Sequence, residues 1–259
     1  KVKAVPFEEV KETIVDGIGD EIDNVFSEID HDPIGTASIG VVFKAKLKTG
    51  EQVVVKVKRP GIDRMIETDF SILLLLIQQV ERYSEEVRYL GVSRAIRDFA
   101  TSLQNELNFH IEAMNCERLA SNLKQHDEEE IFYLPKVYRD YSSRDVLVME
   151  YLEGIPYSHR EEIMKYHSEL SPKLEKGIHI FLQTFLKDGF FHADLHGGNF
   201  FFLSNKQIGL IDFGLMGALG KSSRKNFIAI IYALITFNYE NLVYEALDVT
   251  EFETIPDVD

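Results

Sequence analysis

Residues 189–202 read GFFHADLHGGNFFF, and residues 211–214 read IDFG. The first stretch sets two histidines, an aspartate, an asparagine and three glycines between apolar runs. Polar groups in core-like surroundings need a reason, because a buried polar group without a partner is costly. His192, Asp194 and Asn199 fit the spacing H-x-D-x-x-x-x-N, and Asp212 opens Asp-Phe-Gly thirteen residues after Asn199. A phosphoryl-transfer site needs one carboxylate to orient the acceptor hydroxyl or take its proton. It also needs an amide oxygen and a second carboxylate to hold Mg²⁺ against the phosphates. Asp194, Asn199 and Asp212 supply these groups, and the flanking apolar residues predict short strands that stiffen the loop. Two rival readings use the same residues: a hydrogen-bonded structural loop around His192, or a metal site through His192, Asp194 and His196. The second finds no further ligand cluster elsewhere in the chain.

Upstream features suit the same chemistry. Lys56 lies in VVVKVKRP (53–60), a predicted strand whose neighbours are apolar. A lysine there needs a partner. In phosphoryl-transfer sites such a lysine contacts the α- and β-phosphates and pairs with a helix glutamate. Glu112 in ELNFHIEAMN (106–115) is the candidate, with Glu106 and Glu117 as alternatives on the same predicted helix. GTASIG (35–40) sets Gly35, Ala37 and Gly40 at the glycine positions of G-x-G-x-x-G. With Thr36 and Ser38 it forms a candidate phosphate-covering loop, where small residues let backbone N–H groups approach an anion. Ala37 restricts that loop, because its Cβ disfavours positive φ by on the order of 1 kcal/mol. LVMEYLEG (147–154) resembles a kinase hinge, with Met149 expected as gatekeeper and Glu150 to Leu152 as the backbone meeting adenine; by itself the stretch also reads as a buried strand end.

Periodicity orders the remaining elements. PFEEVKETIVDGIGDEIDNVFSEID (6–30) predicts two short amphipathic helices broken near Gly17 and Gly19. VVFKAKL and VVVKV predict strands joined by the turn KTGE. Helices are expected over 62–86 and 92–124, separated near Gly91, and KVYRDYS with DVLVMEYLEG predicts another strand pair. Residues 159–188 read as mostly helix, FFFLSNKQIGL as a hairpin, and a further helix starts near 221. The result is an α+β chain with a small N-terminal sheet lobe (1–151) and a helical C-terminal lobe (152–259) around a cleft.

The chain has 259 residues and a formal net charge of −15, which argues against a basic nucleic-acid-binding stripe. Cys116 is the only cysteine, so no internal disulfide and no cysteine zinc cluster can form. The apolar runs ILLLLI (72–77) and FIAIIYALITF (227–237) are shorter than the about 20 residues that span a bilayer. The chain begins at Lys1 rather than methionine, so a fragment is expected.

Together PIGTASIGVVFKAKL, VVVKVKRPGI, ELNFHIEAMNCERL, LVMEYLEGIP, FFHADLHGGNFFF and IDFG resemble the UbiB-type atypical kinase family associated with ubiquinone biosynthesis. The resemblance runs over about residues 32–217. It implies a bilobal protein-kinase-like fold, ATP and Mg²⁺ as cofactors, and a role in quinone lipid synthesis at the cytoplasmic side of a membrane. Membrane lipid and quinone-biosynthesis proteins are the implied partners, with no nucleic acid. By motif position it makes Lys56 the phosphate-binding lysine, Glu112 its partner, Asp194 the catalytic-loop aspartate, and Asn199 and Asp212 the Mg²⁺ ligands. Glu106 and Asn108 match the family's E-x-D element, with asparagine in place of aspartate. A lysine–glycine–glutamine element is expected ahead of residue 1, and no Ala-Pro-Glu motif follows Asp-Phe-Gly. A small-molecule phosphotransferase of the aminoglycoside or choline kinase kind, and a nucleotide- or lipid-binding pseudokinase scaffold, are the alternatives.

Overall fold

The computed structural model describes residues 5–36 and 39–249. The first half runs α1 (Phe7–Ile18), α2 (Ile22–Val25), β1 (Phe26–Ile29), β2 (Gly35–Thr36), β3 (Gly40–Leu47), β4 (Gln52–Lys58), α3 (Ile62–Tyr83), α4 (Glu85–Tyr89), α5 (Val92–Glu106), α6 (Phe109–His126), β5 (Phe132–Tyr133) and β6 (Val146–Glu150). The second runs β7 (Gly154–Pro156), α7 (Arg160–Ile163), α8 (His167–Gln183), β8 (Phe190–His192), β9 (Phe200–Leu203), β10 (Ile208–Leu210), β11 (Met216–Ala218), α9 (Lys221–Ile235) and α10 (Tyr239–Val249). An N-terminal antiparallel sheet is followed by a mainly helical region, the α+β kinase-like arrangement expected from the sequence.

The first sheet has the order β1-β3-β4-β6, with β2 also on β3. Alternation divides its two faces. Val41, Phe43, Ala45 and Leu47 of β3 join Val53, Val55 and Val57 of β4 in one core with Phe7, Val10, Ile14 and Ile18 of α1. The apolar stripe of α1 therefore closes one face. The opposite face carries Lys56, whose Cα partners are Val42 and Leu147. It packs on α6 through Phe109, Ala113, Leu147 and Met149. A second sheet, β5-β10-β9-β7, and the ribbon β11-β8 support the loop after β8.

Several local expectations are corrected. Residues Phe26–Ile29 form a strand rather than the end of a helix, because they pair antiparallel with Ala45–Leu47 of β3. Gly17 does not break α1. A Cβ there would lie 2.3 Å from Val146 Cγ2, so glycine lets the helix approach the sheet. Gly19, with φ 73°, ends the helix in the left-handed region. The helix expected over 92–124 splits, because Asn108 takes an extended φ of −114° and caps α6 through His110 N–H at 3.1 Å. KVYRDYS is not a strand. It makes an isolated bridge between Val137 and Met149 and a tight turn over Arg139–Tyr141. Ser142 Oγ holds that turn by accepting from Val148 N–H at 3.0 Å and donating to Tyr138 O at 2.8 Å.

α3 and α5 form a helical pair that contributes little to these cores; each buries one residue, Ile62 and Ser93. Among the described residues no helix is long and apolar enough to cross a membrane.

Candidate active site

β4 directs Lys56 beneath the sheet, where α6 carries Glu112 on its buried stripe of Phe109, Ala113, Cys116 and Leu119. Lys56 Nζ lies 2.8 Å and 2.9 Å from the two Glu112 carboxylate oxygens. It also lies 3.7 Å from Asp212 Oδ1 and 5.3 Å from the centre of the Phe109 ring. The alternative glutamates are placed elsewhere. Glu117 pairs with Arg139 at 2.9 Å and 2.7 Å, and Glu106 sits at the end of α5 facing the cleft. Lys58, also buried, pairs with Asp63 and Asp145 rather than reaching into solvent.

The loop between β8 and β9 is tied to Asp-Phe-Gly through His192. His192 Nε2–H donates to the Asp212 carbonyl at 2.7 Å, and Nδ1 accepts from Asp194 N–H at 3.1 Å. Both bonds require the same neutral tautomer. Burial holds the imidazole below its ordinary range, which favours that form. With both ring nitrogens committed to backbone groups, the His192–Asp194–His196 metal reading loses its first ligand. Asn199, buried just before β9, donates from Nδ2 to the Asp194 carbonyl at 3.2 Å, so its amide oxygen is the atom that could hold a metal ion. The Asn199 carbonyl accepts from Ile211 N–H at 3.2 Å, which brings the two motifs side by side.

A cleft of about 120 Å³ lies between these elements. Its described lining is Ile39, Lys56, Glu106, Glu112, His192, Asp194, Asp212, Gly214 and Leu215. Four carboxylates thus face one ammonium. Burial alone would lower the Lys56 ammonium, but Glu112 and then Asp212 outweigh it and hold it above the ordinary lysine range. Burial pushes the Glu112 carboxyl up against the pull of Lys56. Burial acts on Asp212 in the same sense, yet Lys56 and the Gly214 amide overcome it and hold Asp212 below the ordinary carboxylate range. Glu106 is raised by burial and by repulsion from Asp212 and Asp194. Oxygen anions crowded around the ionised Asp212 carboxylate supply the donor chemistry of a hard divalent cation such as Mg²⁺, whereas Asn199 is not part of this lining. The residues present therefore fit the ion.

Other expected positions are less closely engaged. Gly35 and Thr36 pair with Val42 and Val41, and Gly40 pairs with Lys58. Ala37 and Ser38 lie outside the described residues. Met149 and Leu152 are buried, and neither they nor Glu150 line the cleft. The Glu150 carboxylate accepts from Tyr133 Oη at 2.9 Å and from Lys136 N–H at 3.1 Å. A larger hollow of about 300 Å³ is lined by Leu123, Phe132, Tyr133 and Leu134 but carries none of the chemistry above. Sequence reasoning missed Asn115, whose Nδ2 donates to the Phe213 carbonyl at 2.9 Å. Its position three residues after Glu112, on the same helix face, was the available signal.

The sequence profile of the ABC1 atypical kinase-like domain matches residues 1–246. The chain is similar to a protein of Pseudomonas putida named probable protein kinase UbiB, with 32% identity over 239 residues, 91% of this chain and 44% of the relative. Proteins of the same name from Pseudomonas paraeruginosa and Marinobacter nauticus are 31% and 32% identical, over 96% and 93% of this chain and 47% and 44% of theirs. The chain thus spans about half the length of the curated relatives it matches. Its fold is similar to that of Rv3197 from Mycobacterium tuberculosis, solved in complex with erythromycin. The TM-score is 0.67 at 23% identity, covering 98% of this chain and 63% of the other. With the profile match running through the sheet, α6, the catalytic-type loop and Asp-Phe-Gly, the chain belongs to the ABC1 atypical kinase-like family, together with relatives named as probable UbiB kinases.

Proposed function

We propose that this chain is the nucleotide-handling domain of an ATP- and Mg²⁺-dependent kinase or ATPase of the UbiB type. The observation that carries the reading is Lys56 held between Glu112 at 2.8 Å and Asp212 at 3.7 Å, in a cleft that Asp194 also lines. In this reading Lys56 contacts nucleotide phosphates, and Gly35, Thr36, Ala37, Ser38 and Gly40 cover them. Met149, Glu150 and Leu152 form the hinge side of the adenine position. Asp194, exposed and adjoining the cleft, orients the acceptor hydroxyl or water, or takes its proton. Asn199 and Asp212 hold Mg²⁺, which when bound neutralises phosphate charge. His192 keeps the loop bearing Asp194 in register with Asp212. We assign the 1–151 and 152–259 segments to the two sides of the cleft. The biological setting we propose is quinone or isoprenoid lipid synthesis at a membrane, with lipid and biosynthetic proteins as partners of the whole protein.

The test is a Mg²⁺ titration of ATP binding and hydrolysis, with and without lipid vesicles, in the wild type and in Asp212→Asn. The variant should stay folded and lose Mg²⁺-dependent binding or turnover. An unchanged titration sinks the assignment of Asp212.

A further inference from the structure

The Asp-Phe-Gly backbone is gripped from α6 at two points. Phe213 N–H approaches Glu112 Oε1 at 3.5 Å, and the Phe213 carbonyl accepts from Asn115 Nδ2 at 2.9 Å. The two α6 residues are three apart, one above the other on a single helix face. The Phe213 side chain is fully buried in a cluster with Cys116, Leu119, Ile208 and Leu210. The first contact is long, and its acceptor oxygen already receives Lys56 Nζ at 2.8 Å. The Asn115 bond is the shorter and better satisfied of the two. Beyond it, Gly214 N–H donates to Asp212 Oδ1 at 3.1 Å, so the orientation of the Asp212 carboxylate depends on where this short segment of backbone lies.

We propose that Asn115 is a positioning residue for the metal-binding aspartate. By fixing the Phe213 carbonyl to α6, it makes the Lys56–Glu112 pair and the Asp212 carboxylate move as one body. The inference deepens the reading above and rests on Asp212 as the Mg²⁺ ligand. Nothing in the H-x-D or Asp-Phe-Gly motifs assigns this task to α6. The Asn115 bond joins α6 to Asp-Phe-Gly across 98 residues of chain. Without the amide, the Phe213 carbonyl loses its donor and the backbone between Asp212 and Gly214 gains freedom.

Two substitutions remove the donor. Asn115→Leu keeps the bulk, and Asn115→Asp keeps the shape while setting an anion against the carbonyl. Amide hydrogen exchange is read at Phe213 and Gly214 in nucleotide-free protein. The Mg²⁺ midpoint for ATP binding is read separately on the same samples. Loss of one net hydrogen bond predicts roughly three- to tenfold faster exchange at these amides and a Mg²⁺ midpoint raised by a similar factor. ATP affinity at saturating Mg²⁺ should change little. Unchanged exchange in both variants overturns the tether. Faster exchange with an unmoved Mg²⁺ midpoint overturns positioning and leaves a purely structural bond. A wild type that binds ATP without regard to Mg²⁺ overturns the parent reading, and this proposal with it, whereas a normal wild-type titration isolates the failure to Asn115.

Discussion

Glu112→Gln is the perturbation that most directly weighs the Lys56 pair. The side chains of Lys56 and Glu112 are 8% and 2% exposed, so solvent cannot compensate for a lost partner. Removing one member of such a pair typically costs about 3–5 kcal/mol, because the remaining charge stays buried. Two features of this site reduce that figure. Asp212 Oδ1, 3.7 Å from Lys56 Nζ, remains as a second anion. Glutamine keeps both the volume and an acceptor for Phe213 N–H. The expected loss is therefore about 2–3 kcal/mol for Glu112→Gln and about 3–5 kcal/mol for Glu112→Ala, which also opens a cavity. For a chain of this size about 2–3 kcal/mol lowers Tm by roughly 4–12 °C. Urea unfolding followed by far-UV circular dichroism should show a lower midpoint at unchanged slope. The double variant Lys56→Met/Glu112→Leu should recover only part of the loss, because it removes the buried pair but leaves Asp212 without its cation. If Glu112→Gln stays within about 0.5 kcal/mol of wild type, the pair behaves like an exposed one and the argument from burial fails.

Three further outcomes are expected. Gly40→Ala should destabilise by about 1–3 kcal/mol, since its Cβ would lie 2.6 Å from the Val57 carbonyl oxygen; Gly35→Ala, whose nearest neighbour is 3.8 Å away, should be close to neutral in the same thermal melts. Asn108→Ala should cost about 1 kcal/mol through the lost cap of α6, and Asn108→Ser should restore most of it. The Mg²⁺ titration of the Asn108→Ala protein should match wild type, and a shifted midpoint would show that Asn108 acts at the metal after all. His192 is held below its ordinary value of 6.5 by burial, so its neutral form contributes stability that is present above pH 6.5 and lost as pH falls through the lowered folded value. This adds a slope of at most about 1.4 kcal/mol per pH unit over that window. His192→Gln should flatten that part of the curve of unfolding midpoint against pH, and an unaltered slope would remove His192 from the account.

Much of the site can be read along the chain where chemistry depends on local spacing. The alternation in β3 and β4 sets Lys56 on the face opposite Val53, Val55 and Val57, as the strand period requires. The run from Ala193 to Asn199 forms one loop between β8 and β9, and Asp212 follows at the end of a hairpin. Readings failed where a local preference was overridden at a distance. Phe26–Ile29 is a strand because β3 offers an edge, and Gly17 stands inside a helix rather than breaking it because the helix packs so close to Val146 that no Cβ fits. The break between α5 and α6 had a local signal, the asparagine cap, but a continuous apolar pattern obscured it.

Sequence alone therefore determined the inventory: a strand lysine, three candidate glutamates, the spacing of Asp194 and Asn199, and the aspartate of Asp-Phe-Gly. Only the tertiary structure decided which of these meet. Glu112 faces Lys56 because Phe109, Ala113 and Cys116 on the same stripe are drawn into the core, which sets the rotation of α6 about its axis. That rotation turns Glu117 outward to Arg139 and brings Asn115 onto the Phe213 carbonyl. Spacing along a helix specifies which side chains share a face, but the direction of that face is chosen by burial against partners remote in the chain.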